Sequence, residues 1–170
     1  MAHSTKKLGM MFTTAAWVLG FLLLALVFTK VLDGQHNPNQ SVSTVDTGDF
    51  REIVLKRSRN GHYLFDGEAN GRKVTFLVDT GATMTAIPGS MQQQLGLKAG
   101  PSMSVSTANG VANAHLTQLD QLAIGGIEMY DVDATIIPDM SIDEILLGMN
   151  VLRHFELVQR GDELIIRQYR

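Results

Sequence analysis

The alternation of apolar and polar positions divides this chain into three stretches. The first, Met10 to Phe28 (MMFTTAAWVLGFLLLALVF), has no charged residue and no polar stripe. As a helix it would be about 28 Å long, one bilayer hydrocarbon core. The second, Leu32 to Phe50, is rich in Asn, Gln, Ser, Thr, Gly and Asp and lacks apolar periodicity, which predicts a linker. From Arg51 onward, short apolar or alternating runs are punctuated by turn dipeptides. EIVLKR precedes Asn60-Gly61, HYLFDGEA precedes Asn70-Gly71, and KVTFLV runs into Asp79. SVSTA meets Asn109-Gly110, QLAI meets Gly125-Gly126 before IEMYDVDATII, and ELIIRQY follows Gly161-Asp162. Asn-Gly between alternating runs signals a hairpin, because both central residues of a type I′ turn need positive φ. This third stretch therefore predicts an all-β, mainly antiparallel domain, a small barrel or sandwich. Two short helices interrupt it: PGSMQQQLGL, opening at Pro88 and stopping at Gly96, and GMNVLRHF after Gly148.

Flanking charges give the apolar run an orientation. Lys6 and Lys7 precede it, while Lys30 and Asp33 follow, so the positive bias puts the amino terminus in the cytoplasm. A cleaved signal peptide is the competing reading. The run is longer than a usual signal core and no Ala-x-Ala-like site follows, which favours an uncleaved anchor. The expected organisation is a cytoplasmic segment 1–9, a transmembrane anchor 10–29, a polar linker 30–49 and a folded domain 50–170. An exposed linker is also the natural place for self-processing.

Composition narrows the chemistry. The net charge of -3 and the pI near 5.9 offer no basic surface for nucleic acid. There is no cysteine, which removes thiolate catalysis, disulfides and Cys-based zinc sites. His3, His36, His62, His115 and His154 are scattered, with no metal-ligand spacing. The acids Asp131, Asp133, Asp139, Asp143 and Glu144 lack EF-hand spacing and read as solvated faces. No metal or cofactor is expected.

One tetrapeptide occurs twice: VDTG stands at Val45–Gly48 and again at Val78–Gly81. Asp46 follows Ser43 and Thr44 inside the polar stretch, and Asp49 follows its glycine, so it reads as an Asx turn. Asp79 differs. The β-prone run Val74–Val78 would deliver it from a sheet interior, Gly81 permits a sharp turn, and Ala82 leaves room beside it.

The longer segment FLVDTGATMTAIP resembles the active-site segment of retropepsin-like aspartic proteases, apolar-apolar-Asp-Thr-Gly-Ala-Thr/Ser. A second landmark of that family follows in order: EILLGMNVLRHF, where Leu146 and Leu147 precede Gly148 and a helix. The resemblance covers Phe50 to Arg170 and looks like the bacterial, membrane-anchored, single-lobed branch. It implies a small closed β-barrel in which Leu146, Leu147 and Gly148 pack beneath the catalytic loop in a ψ-shaped arrangement. It also implies that Asp79 is catalytic, that Thr80, Gly81, Ala82 and Thr83 support it, and that Thr83 bonds its outer oxygen. The hairpin at Thr107, Ala108, Asn109 and Gly110 takes the place of the flap over an extended peptide substrate, although no aromatic stands in it.

Peptide hydrolysis of this kind uses two carboxylates that share one proton and activate a water. This chain offers one credible aspartate, since too few residues separate Asp46 from Asp79 to form a second lobe. The resemblance therefore implies a two-fold homodimer with one Asp79 from each subunit, braced by the Thr80 hydroxyls. Membrane tethering would raise the effective concentration of the subunits. Retroviral members continue the Gly motif with Arg-Asp, which locks their dimer. Here Met149 and Asn150 stand there, so the interface is built otherwise, with the terminal strand ELIIRQYR as either an intermolecular or an intramolecular strand. The function expected is a bacterial inner-membrane aspartic endopeptidase with a periplasmic domain. The alternative is a catalytically silent module of the same fold for dimerisation or peptide binding.

Overall fold

The computed structural model describes residues 2–107 and 110–170, with side chains from residue 9 onward. The chain forms two compact units, a helical one ending at Gln35 and a β unit from His36 to Arg170.

The helix α1 spans Ala2–His36 and carries the uncharged run Met10–Phe28, with exposed Trp17, Phe21, Leu24 and Phe28. Its hydroxyls are satisfied internally: Thr13 donates to the Gly9 carbonyl, Thr14 to Met10 and Thr29 to Leu26. Such back-bonding removes the free polar groups that hydrocarbon would penalise. Among the described residues α1 is the one helix long and apolar enough to cross a membrane.

The second unit is mostly β and consists of two sheets. The first contains β1 (Thr44–Asp46), β2 (Phe50–Lys56), β10 (Glu156–Arg160) and β11 (Glu163–Tyr169), in the order β1-β2-β11-β10. The second contains β3 (Leu64–Ala69), β4 (Arg72–Val78), β5 (Thr85–Pro88), β6 (Ser102–Thr107), β7 (Gly110–Ile124), β8 (Ile127–Ile137) and β9 (Ile145–Leu147). Its order is β3-β4-β9-β5-β8-β7-β6, with β3 also touching β7. The inward faces meet in one core of Ile53, Leu55, Phe65, Phe76, Leu119, Ile136 and Ile145, with Phe65 and Phe76 stacked at 5.3 Å. Burying each such side chain contributes about 1.5–3 kcal/mol.

The turn signals acted in different ways. Asn70 and Gly71 both take positive φ, 49° and 68°, and close the β3–β4 hairpin at Ala69↔Arg72. Gly125-Gly126 closes β7–β8, and Gly161-Asp162 closes β10–β11. Asn60-Gly61 makes no hairpin: it turns the chain from β2 in one sheet to β3 in the other. The predicted helix at Pro88 shrinks to a single 3-10 turn, Gly89–Met91, because Ile87 and Pro88 pair with β8 as strand. Beyond Gly148 the helix α2 is Met149–Leu152.

The polar stretch departs most from the sequence reading. Residues 37–46 are built into the β unit rather than hanging as a linker. Asn37 and Asn39 are buried. The Asn39 amide donates to the Lys56 and Leu64 carbonyls and accepts the Lys56 N–H, while Asn37 donates to Asp66. Polar side chains here replace apolar contacts as the adhesive, which hydropathy patterns do not register. The terminal strand is also decided: β11 lies inside its own chain, paired to β2 on one side and β10 on the other.

Candidate active site

Asp79 stands one residue past β4, at the tip of a strand whose Val74 and Phe76 are buried in the core. Its position is set by the strand beside it. β9 inserts between β4 and β5, parallel to β4 and antiparallel to β5, so that Leu146 is opposite both Leu77 and Ala86. The Asp79 N–H donates to the Leu147 carbonyl at 3.2 Å, closing that ladder at the aspartate itself. The turn then folds on its own acid: Asp79 Oδ1 accepts the Gly81 N–H at 2.9 Å, and the Ala82 N–H donates to the Asp79 carbonyl.

Gly148 seats the platform. A Cβ there would lie 2.4 Å from the Met84 carbonyl carbon and 2.9 Å from the Thr85 nitrogen, both backbone atoms that cannot rotate away. Only glycine lets β9 and α2 approach the turn this closely. Two bonds complete the contact, from the Met149 N–H to the Ala82 carbonyl and from the Asn150 N–H to the Thr83 carbonyl. The sequence-predicted set Asp79, Gly81, Ala82, Leu147 and Gly148 is thus brought together.

Other predicted residues stand apart. Thr80 and Thr83 are exposed, and neither hydroxyl has a hydrogen-bond partner among the described residues, so the expected Thr83 bond to Asp79 is not made in the single chain. Thr107 and Gly110 pair at the end of the β6–β7 hairpin, with the Thr107 hydroxyl donating to the Gly110 carbonyl at 2.7 Å. Ala108 and Asn109 lie outside the described residues. Asp46 ends β1 in the other sheet, so the two VDTG copies form no pair. Its Oδ1 accepts the Gly48 N–H as in an Asx turn, and its Oδ2 holds Arg51 and Arg170. The Gly48 N–H first, and then the Arg51 side chain, hold its carboxyl below the ordinary aspartate range.

Sequence reasoning missed Asn150, which stands out in the sequence only as a replacement for a charged residue. In the structure its Oδ1 accepts both the N–H and the hydroxyl of fully buried Thr85, at 2.8 and 3.1 Å, and its Nδ2 donates to the Asp133 carbonyl at 2.7 Å. One amide thereby joins α2, β5 and β8 directly behind the Asp79 turn.

A strand-borne Asp-Thr-Gly turn seated on an inserted apolar-apolar-Gly strand defines the aspartic-protease class of fold. Comparisons agree. The family model described as gag-polyprotein putative aspartyl protease matches residues 65–154, more than half the chain. The chain belongs to that family, as a retropepsin-like aspartic protease. A crystal structure of a retropepsin-like aspartic protease from Rickettsia conorii is similar at 28% identity and a TM-score of 0.58, over 75% of this chain and 94% of that one. An uncharacterised protein from the cobV 5′ region of a Sinorhizobium species is 33% identical, over 90% of this chain and 71% of its own length. An uncharacterised protein of Rickettsia prowazekii is 26% identical, over 93% of this chain and 71% of its own length.

Proposed function

We propose that this protein is a membrane-anchored aspartic endopeptidase whose active site is completed when two copies bring their Asp79 carboxylates together. The observation that carries the reading is the support of Asp79: a core strand behind it, the Leu147 carbonyl on its N–H and the Gly81 N–H on its carboxylate. A catalytically silent module of the same fold would have no need of the intact set Asp79, Thr80, Gly81 and Thr83. In the paired site one carboxylate is ionised and accepts a proton from water, while its protonated twin donates to the carbonyl oxygen of the scissile bond. The resulting tetrahedral diol collapses as the leaving amine takes a proton, and the pair is regenerated. The exposed Thr80 side chains are free to meet across the two-fold axis. The β6–β7 hairpin is suited to close over an extended peptide and pair with its backbone.

The apolar α1 supports anchoring through 10–29, and the Lys6/Lys7 bias supports a periplasmic domain. Confinement to a plane favours pairing, so activity per molecule should rise with surface density. The test uses the full chain in detergent and its Asp79→Asn variant, offered a denatured protein from acid to neutral pH. The variant should lose at least ~100-fold of the cleavage rate, the scale of a missing general base. Equal cleavage by both proteins would overturn the reading.

A further inference from the structure

With β11 enclosed between β2 and β10, the terminal strand has no free edge to offer a second chain. The sheet still has an unprotected edge. On the β1 side three residues pair, and beyond them the Asn39 amide holds Lys56. On the other side β10, Glu-Leu-Val-Gln-Arg from Glu156 to Arg160, lies open along its whole length. It has no proline, lysine or bulge of the kind that shields edge strands.

The direction of its free backbone groups follows from the ladder. Lys56 gives its N–H and carbonyl to Asn39, away from β11. Backbone groups alternate in direction along antiparallel strands. Hence Glu163, Ile165 and Arg167, opposite Lys56, Val54 and Glu52, turn theirs toward β10. They engage Arg160, Val158 and Glu156, and the outward groups of β10 belong to Leu157 and Gln159. Antiparallel pairing of β10 with itself about a two-fold axis through Val158 sets Leu157 opposite Gln159, so the outward groups of both copies meet. It also sets Glu156 opposite Arg160 of the partner subunit, twice, on the face shared with Val158.

The side chains suit that register. Arg160 has no ion-pair partner among the described residues. Glu156 holds Arg167 and Tyr169 through Oε2 alone, leaving Oε1. Leu157 and Val158 are half-buried apolar residues that a second strand would cover. We propose that the homodimer is joined edge to edge through β10, with Val158 on the two-fold axis and Glu156–Arg160 pairs across it. This rests on the homodimer reading above. The segment is well placed for it: α2, whose N–H groups hold the Ala82 and Thr83 carbonyls, leads into β10 through residues 153–155. Each interface strand is thus one short helix away from its own Asp79 turn.

Absence of cysteine makes the test clean. In the full chain, in membranes or detergent, Val158→Cys should give a disulfide-linked dimer under mild oxidant. The control Val45→Cys, on the opposite edge of the same sheet, should not. Val158 would face its twin as a non-hydrogen-bonded pair, the closer kind, with Cβ atoms about 4.5 Å apart, at the edge of disulfide reach. In a cysteine-free background, Gln159→Pro removes an outward N–H that the chain's own ladder does not use, so the domain should fold but dimerise at least ~10-fold more weakly. Arg160→Glu should weaken the dimer roughly tenfold by turning both cross-axis pairs repulsive. Each assay is repeated with Asp79→Asn. Cross-linking without catalysis in the parent sequence would retain the interface and remove the protease reading. Catalysis with no Val158→Cys cross-link, a yield no higher than the control, or a cross-link to a different polypeptide would overturn the interface.

Discussion

The most demanding test of the site's construction is a single methyl group, Gly148→Ala. The added Cβ would stand 2.4 Å from the Met84 carbonyl carbon and 2.5 Å from its oxygen. Ordinary contact begins at 3.4 Å, so β9 and α2 must retreat from the turn by about 1 Å. Both sides are backbone, and both are tied down: β9 by its pairs with β4 and β5, the turn by the bonds from Met149 and Asn150. Overpacking of this kind costs roughly 1–3 kcal/mol, and the rigid partners argue for the upper end. For a chain of this size that lowers Tm by about 6–12 °C. The retreat also moves the Asp79 support by about 1 Å, a displacement that costs on the order of 100-fold in rate. The comparison is Gly48→Ala in the first VDTG, where φ is +90° but no atom lies within 4 Å. That change strains one turn residue by ~1 kcal/mol and should leave turnover per folded molecule intact. Thermal unfolding and cleavage of a denatured protein would be measured on both variants. Gly148→Ala with parental Tm and parental rate would refute the argument that backbone contact at Gly148 sets the aspartate.

Asn150→Ala strands the buried N–H and hydroxyl of Thr85 and should destabilise by about 2–4 kcal/mol, with a parallel loss of activity, read by denaturant titration and cleavage. Asn39→Ala leaves the Lys56 and Leu64 backbone groups unpaired, costing roughly 3 kcal/mol. It should make residues 37–46 a site of limited proteolysis, whereas the parent resists cutting there. Asp46→Asn should lower Tm at neutral pH without changing turnover per folded molecule. Because the folded-state carboxyl titrates below its ordinary value of 3.8, the stabilisation is present above that value and is lost as pH falls through the lower folded one. The Tm gap between parent and variant should therefore be wide at pH 7 and close in acid; a gap that widened on acidification would contradict the assignment.

The legible parts of this sequence were those where local chemistry and tertiary role coincide. Asn70-Gly71 needs positive φ whatever surrounds it, and it made its hairpin. The Val74–Val78 run and Leu146–Leu147 read as apolar strands, and their meeting at Asp79 was legible through the family resemblance of the two motifs. The illegible parts were held by polar side chains acting over long sequence distances. Asn39 reaches Lys56 and Leu64, and Asn150 reaches Thr85 and Asp133. To a periodicity argument an asparagine in a buried bond and an asparagine in solvent are the same letter. Asn60-Gly61 adds a different limit: a turn dipeptide specifies a reversal, not which sheet receives the next strand.

The two VDTG copies show the same division more sharply. Both aspartates accept the N–H of the glycine two residues on, at 3.0 Å for Asp46 and 2.9 Å for Asp79, so the tetrapeptide repeats one side-chain bond in two different turns, with φ of +90° at Gly48 and no positive φ at Gly81. The fate of each carboxylate is set by the structure behind its turn. Asp46 ends a three-residue edge strand, and its second oxygen is consumed by Arg51 and Arg170, fastening the first VDTG turn to the end of the terminal strand. Asp79 ends a core strand, has no arginine on it among the described hydrogen bonds and ion pairs, and keeps Oδ2 without a bond from its own chain. Two guanidinium groups occupy the Asp46 carboxylate, whereas the carboxylate of Asp79 is bonded, among the described residues, to a backbone N–H alone, as the proposed pairing requires. The motif supplies the aspartate–glycine bond, and the lack of a cationic partner among the described residues is what separates the second copy from the first.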